Sequence, residues 1–136
     1  MKFIIALSVL LASVVSFGQA STGLVQGVQR RYMPIAIPAA STTSPAYDVG
    51  GYYLNGVIFP ATVVGTSISF LTSDTVGGTY VQVYSTAGAL LTYTTGASRF
   101  VAFNPLDLQG LRYIKIVSNA TETTGLPLIL ALRQAN

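Results

Sequence analysis

Residues Ser67 to Thr94 read SISFLTSDTVGGTYVQVYSTAGALLTYT. Apolar and polar residues alternate, pause at Gly77-Gly78, alternate again, pause at Ala87-Gly88, and alternate once more. A period of two places successive side chains on opposite faces of an extended strand, and glycine-bearing pauses mark turns. The stretch therefore predicts strand, turn, strand, turn, strand. Within it, Thr66–Leu71 sets Ile68 and Phe70 against Ser67 and Ser69. Thr79–Tyr84 sets Val81 and Val83 against Tyr80, Gln82 and Tyr84, and Leu90–Thr95 is short and rich in threonine.

The pattern extends in both directions. Upstream, Tyr52–Phe59 stops at Pro60, and Pro34 and Pro38 bracket Ile35-Ala36-Ile37. Proline removes a ladder donor, so that tripeptide suits an edge strand or an extended arm lying on a sheet. Downstream, Arg99–Phe103 is halted by Asn104-Pro105, and Arg112–Ser118 opposes Ile114 and Ile116 to Tyr113, Lys115 and Val117. Leu128–Arg133 opposes Leu128, Leu130 and Leu132 to Ile129, Ala131 and Arg133. No helix is expected after residue 20. About eight short strands separated by regular breaks predict an all-β protein, an antiparallel sandwich or barrel. Two dry sheet faces closing over each other favour the sandwich, with jelly-roll topology.

A chain of 136 residues suffices for one domain with a core. With 51% hydrophobic and 8% charged residues it is not a disordered chain. So little charge has two readings: an apolar leader raises the average, or other subunits cover much of the surface. The absence of cysteine and histidine removes disulfides, thiol chemistry, the usual proton shuttle and the commonest metal ligand. The four acids are Asp48, Asp74, Asp107 and Glu122, and the seven bases are scattered, so no nucleic-acid groove is expected.

Residues 1–20, MKFIIALSVLLASVVSFGQA, have the outline of a signal peptide, with Lys2, an apolar run from Phe3 to Leu11, and small residues up to a cleavage point after Ala20. Left uncleaved, the same run is an apolar arm that a neighbouring subunit would bury. Residues 21–45 form an extended arm rich in Pro, Ser and Thr, and residues 46–136 form the sandwich. Phe3, Ile4, Leu7, Leu10, Ile35 and Ile37 are the candidate anchoring residues.

Chemistry-bearing side chains are sparse. Asp74, in SDTVGG, invites comparison with a calcium loop, but calcium takes several oxygen ligands and the loop holds no second acid. A turn in which Asp74 caps its own backbone is the better reading. Asp107 and Arg112 suit a structural pair that pins a loop, and Glu122 falls in a polar, solvated loop. Tyr80, Tyr84 and Tyr93 lie in neighbouring strands, where they either stack on a sugar ring or a subunit, or simply pack across strands. A serine nucleophile would need a nearby base, and Lys115 alternates onto a solvated face. No catalytic group, metal or cofactor is expected.

The runs GGYYLNGVIFPATVVGTSISFLTSDTVGGTYVQVYSTAGALL, ASRFVAFNPLDLQGLRYIKIVSNAT and LPLILALRQ resemble a family of small β-sandwich proteins encoded in tailed-phage structural gene clusters. The shared elements are the strand ending at Pro60, the hairpin with Ser73, Asp74, Gly77 or Gly78 and Tyr80, the turn from Tyr84 to Gly88, the strand Arg112–Ser118, and the apolar strand ending at Arg133. The resemblance implies a virion protein of the capsid decoration, cement or head-fibre kind. Its partners would be capsid or other virion proteins, with a homo-oligomer, trimeric by analogy, covering the charge-poor surface. Some relatives of this kind look like carbohydrate-binding sandwiches, which makes a cell-surface glycan the alternative partner. The leader fits two further readings: a secreted glycan-binding module, and an extracellular filament subunit joined by strand exchange.

Overall fold

The computed structural model describes residues 29–135. Ten strands follow in order: β1 Arg30–Ile37, β2 Ser41–Thr43, β3 Tyr47–Asp48, β4 Tyr52–Ile58, β5 Ser67–Ser73, β6 Val81–Gln82, β7 Thr92–Thr94, β8 Phe100–Ala102, β9 Tyr113–Glu122 and β10 Leu126–Gln134. A single 3₁₀ turn, Pro105–Asp107, is capped by the Asn104 side chain, and no α-helix occurs among the described residues.

One sheet has the order β1-β10-β4-β8, and the other runs β2-β9-β5-β6, with β3 also on β9 and β7 also on β5. All pairings are antiparallel. The connectivity is a nest of hairpins. The first strand pairs with the last, β2 and β3 with β9, β4 with β8, and β5 with β6 and β7. Folding that nest over itself adds the β10–β4 and β9–β5 contacts and produces two stacked sheets, which is the jelly roll the alternation predicted.

Each sheet turns its apolar parity inward. Ile68, Phe70, Ile114 and Ile116 from one sheet meet Leu54, Leu128, Leu130 and Leu132 from the other, all of them buried. Both long C-terminal strands exceed their expected ends. β9 continues through Asn119-Ala120-Thr121 to Glu122, and β10 starts at Leu126. The predicted strands around Val81 and Thr92 are shorter than expected because they are halves of one interrupted strand. The Val83 N–H still reaches the Phe70 carbonyl at 3.0 Å, but the chain then leaves β5, and returns where the Leu91 N–H meets the Val83 carbonyl at 3.0 Å. Val83 and Leu91 are buried at the neck of this excursion, whose tip turns at Gly88.

The division at residue 45 is corrected by the packing. Residues 30–48 supply β1, β2 and β3, and Ile35 and Ile37 are only 4% and 1% exposed in the chain's own core. They are therefore sandwich residues rather than an arm free to grip a neighbour: both carry the inward parity of β1. Phe3, Ile4, Leu7 and Leu10 lie outside the described residues, as does the cleavage point after Ala20. The edge-strand reading of Ile35-Ala36-Ile37 fits β1, which lies at one margin of its sheet. The Tyr47 hydroxyl accepts from the Ala36 N–H at 2.9 Å and donates to the Ala36 carbonyl at 3.4 Å, so these groups point away from β10. Pro34, two residues earlier, shares that orientation and has no N–H to offer. The margin is thus blunted against strand addition by a tyrosine cap and a proline.

Candidate interaction surfaces

The candidate residues separate once their side chains are placed. Tyr93 points between the sheets, its ring centroid 4.6 Å from that of Phe103 and 6.0 Å from that of Phe70. Its hydroxyl accepts from the Asn104 N–H at 3.2 Å. Burial pushes the Tyr93 phenol up from its usual 10.0, against the lowering effect of that hydrogen bond, and the Asp107 carboxylate pushes it further up. Tyr80 and Tyr84 face outward. The Tyr80 ring is covered by the Lys115 ammonium, 4.2 Å from its centroid, while Tyr84 is 55% exposed with its hydroxyl on Gln82 Oε1. The three tyrosines do not form one platform, because Tyr93 has the parity of Ile68, its partner on β5.

The acids also depart from expectation. Glu122 is not solvated: it is 1% exposed, and its carboxylate accepts from the Val64 N–H at 3.1 Å, the Gly65 N–H at 3.0 Å and the Ser118 hydroxyl at 2.8 Å. Asn119 Oδ1 accepts from Thr66 and Ser67 N–H beside it. Together they stitch the β4–β5 connection to the end of β9. Residue 65 must be glycine here, since a Cβ would overlap the Ser118 hydroxyl. Asp74 is exposed, and Ser73 rather than Asp74 closes the turn, its Oγ accepting from Thr75 N–H at 3.3 Å. Asp107 does pin a loop, but through Thr86 N–H at 3.1 Å and Asn104 Nδ2 at 2.8 Å. Arg112 instead meets Asp48 at 3.7 Å with both side chains about half exposed, a contact worth little in water. Among the described residues, no three His, Cys, Asp or Glu side chains come together as a metal site.

The feature that the candidate residues did not anticipate is the outer face of the four-stranded sheet. Registers arrange it in rows. Arg30, Arg133 and Tyr53 form the first; Tyr32, Ala131, Gly56 and Ala102 the second; Pro34, Ile129, Ile58 and Phe100 the third; Ala36 and Pro127 the last. Tyr32, Phe100 and Ile129 are 59%, 54% and 40% exposed. The Phe100 ring lies over Gly56, where any Cβ would collide with it. A groove of about 680 Å³ runs along this face, bordered by Arg30, Tyr32, Ile58, Phe100, Ala131 and Arg133. No acid lies in these rows. The outer face of the other sheet carries Ser67, Ser69 and Ser73, Thr92 and Thr94, Leu71 and Val117, and Asp48, Tyr113 and Lys115. A broader hollow of about 930 Å³ at one end of the sandwich brings Arg31 and Arg112 near Asp48 and Tyr52.

No protein-family model, curated protein or solved structure matches the chain.

Proposed function

We propose that this chain is a non-enzymatic structural subunit of a tailed-phage particle, a capsid decoration, cement or head-fibre component that works by docking. The observation that carries the reading is the apolar, acid-free outer face of the four-stranded sheet, with Tyr32, Phe100 and Ile129 open to water. A sandwich whose interior is already filled gains nothing from a second apolar face unless a partner covers it. Jelly rolls occur in both viral capsid and lectin domains, so the topology is compatible with this role by analogy alone. The glycan-binding alternative used the tyrosines and loops, and it loses the shared platform of Tyr80, Tyr84 and Tyr93 because Tyr93 faces the core while Tyr84 faces out. The filament alternative, strand exchange through the N-terminal arm, finds no open margin at β1, which is blunted at Ala36 and Pro34, and residues 1–28 of that arm lie outside the described residues.

Particle fractionation followed by mass spectrometry tests the proposal. The protein is expected to sediment with intact particles, and Ile129→Asp is expected to release it without unfolding it. Recovery of all the protein in the soluble fraction, as a folded monomer that begins at Ser21, would overturn the reading in favour of secretion.

A further inference from the structure

Arg30 and Arg133 face each other directly across the β1–β10 ladder, on the outer side of the sheet. Like charges placed opposite one another weaken a strand pair. Neither guanidinium has a carboxylate partner among the described residues, where the single ion pair is Arg112 with Asp48. The pair stands at one end of the apolar groove, whose walls continue through Tyr32 and Ala131 to Ile58 and Phe100. Two forked cations closing one end of an apolar track are complementary to an apolar chain that terminates in carboxylates.

We propose that this groove binds an extended polypeptide segment of a different protein, with its apolar side chains over Tyr32, Ile58 and Phe100 and an acidic group held between Arg30 and Arg133. The inference rests on the docking role given above and adds the chemistry of the partner. A second copy of this chain is a poor occupant. In a symmetric back-to-back pair, the facing rows would bring no acid to either arginine, since neither these rows nor the lining of the groove holds an Asp or Glu. A carboxylate from outside removes the repulsion and gains charge-assisted hydrogen bonds, so it contributes selectivity where the apolar rows contribute area.

Fluorescence anisotropy with two labelled peptides tests it: Ac-Val-Thr-Val-Thr-Val-Asp-Asp, and the same chain ending in Asn-Asn amide. The full-length protein is expected to hold the acidic peptide about ten-fold more tightly than the amide one at low salt, a preference that salt erodes. Arg133→Gln should abolish the preference, while Phe100→Ser should weaken both peptides. Equal binding of the two peptides would overturn the carboxylate clamp and leave the docking role standing. Binding of neither peptide would also overturn the clamp, and the release of Ile129→Asp from particles then decides the docking role separately. Concentration-dependent dimerisation abolished by Ile129→Asp would replace the partner segment with a second copy.

Discussion

The two outer faces of this sandwich are built on the same alternating strands, yet one resembles a protein surface and the other a second interior. On the six-stranded side, the outward positions of β5 are Ser67, Ser69, Leu71 and Ser73, facing Val117, Lys115 and Tyr113 of β9. Hydroxyls keep most of that face wet, and its charges are the Lys115 ammonium and the Asp48 carboxylate beside Tyr113. On the four-stranded side, the outward positions of β10 are Pro127, Ile129, Ala131 and Arg133, flanked by Pro34, Tyr32, Ile58 and Phe100. The contrast shows that low charge need not mean a covered surface, since the hydroxyl face carries only Lys115 and Asp48. What marks a face for a partner is a continuous apolar track without serine or threonine, here closed at one end by Arg30 and Arg133.

That contrast has consequences of graded size. The largest concerns what lies between the faces. Tyr93→Ala should cost about 3 kcal/mol in urea unfolding because its half-buried ring packs against Phe70 and Phe103, whereas Tyr84→Ala should stay within about 0.5 kcal/mol. Equal losses would mean that Tyr93 is not an interior residue. Next comes the fastening of the β4–β5 connection. Glu122→Ala strands the buried Gly65 N–H, the partly buried Val64 N–H and the Ser118 hydroxyl, and should lower unfolding free energy by about 2 kcal/mol. A change below about 1 kcal/mol would show that the connection is held by something else.

The third effect compares the faces directly. On a phenyl resin, Phe100→Ser should elute clearly earlier than the parent, while Leu71→Ser on the hydroxyl side should move little. The reverse order would assign the sticky face to the other sheet. The smallest effect is alkaline. Because the Tyr93 pKa is raised by folding, its contribution to stability is complete below about pH 10 and is lost as pH rises through the higher folded value. In that window the unfolded chain sheds the proton more readily than the folded one, so stability falls with pH. Tyr93→Phe should flatten this decline in melts between about pH 9 and 11, and an unchanged slope would contradict it.

Strand existence was legible in the residues because alternation is a direct record of which side chains must avoid water. Ile114 and Ile116, or Leu128, Leu130 and Leu132, share one parity in the sequence and are buried. The sandwich class followed from the number of strands and the need to close two dry faces, whereas the nested order of the strands is visible only in their pairing. The interruption after Val83 was not legible. Its cause is a detour that keeps Val83 and Leu91 both inward, and the intervening alternation looks like ordinary hairpin. Glu122 was misread for a related reason. A carboxylate flanked by Thr121 and Thr123 signals solvent, and the donors that bury it, Val64 and Gly65, lie 58 and 57 positions away. The apolar outer face had a visible signal in the parity partners of the leucines, Ile129 and Ala131, which are themselves apolar. What the sequence concealed was that Pro34, Ile58 and Phe100 stand in the same row, since adjacency across strands depends on register.

The pairing of the outermost strands carries one last implication, for synthesis. The Gln134 N–H bonds the Gln29 carbonyl at 3.0 Å, so the two described ends of the chain lie side by side. Growing from the ribosome, β1 must wait for nearly every other residue before its neighbour exists, and Ile35 and Ile37 have no completed sheet to enter until β10 emerges. Such a protein closes late and all at once, as long-range pairing demands. A circular permutant joined between residues 29 and 135 and opened at the Gly77-Gly78 turn would change that order, making the final hairpin a local one and quickening its closure.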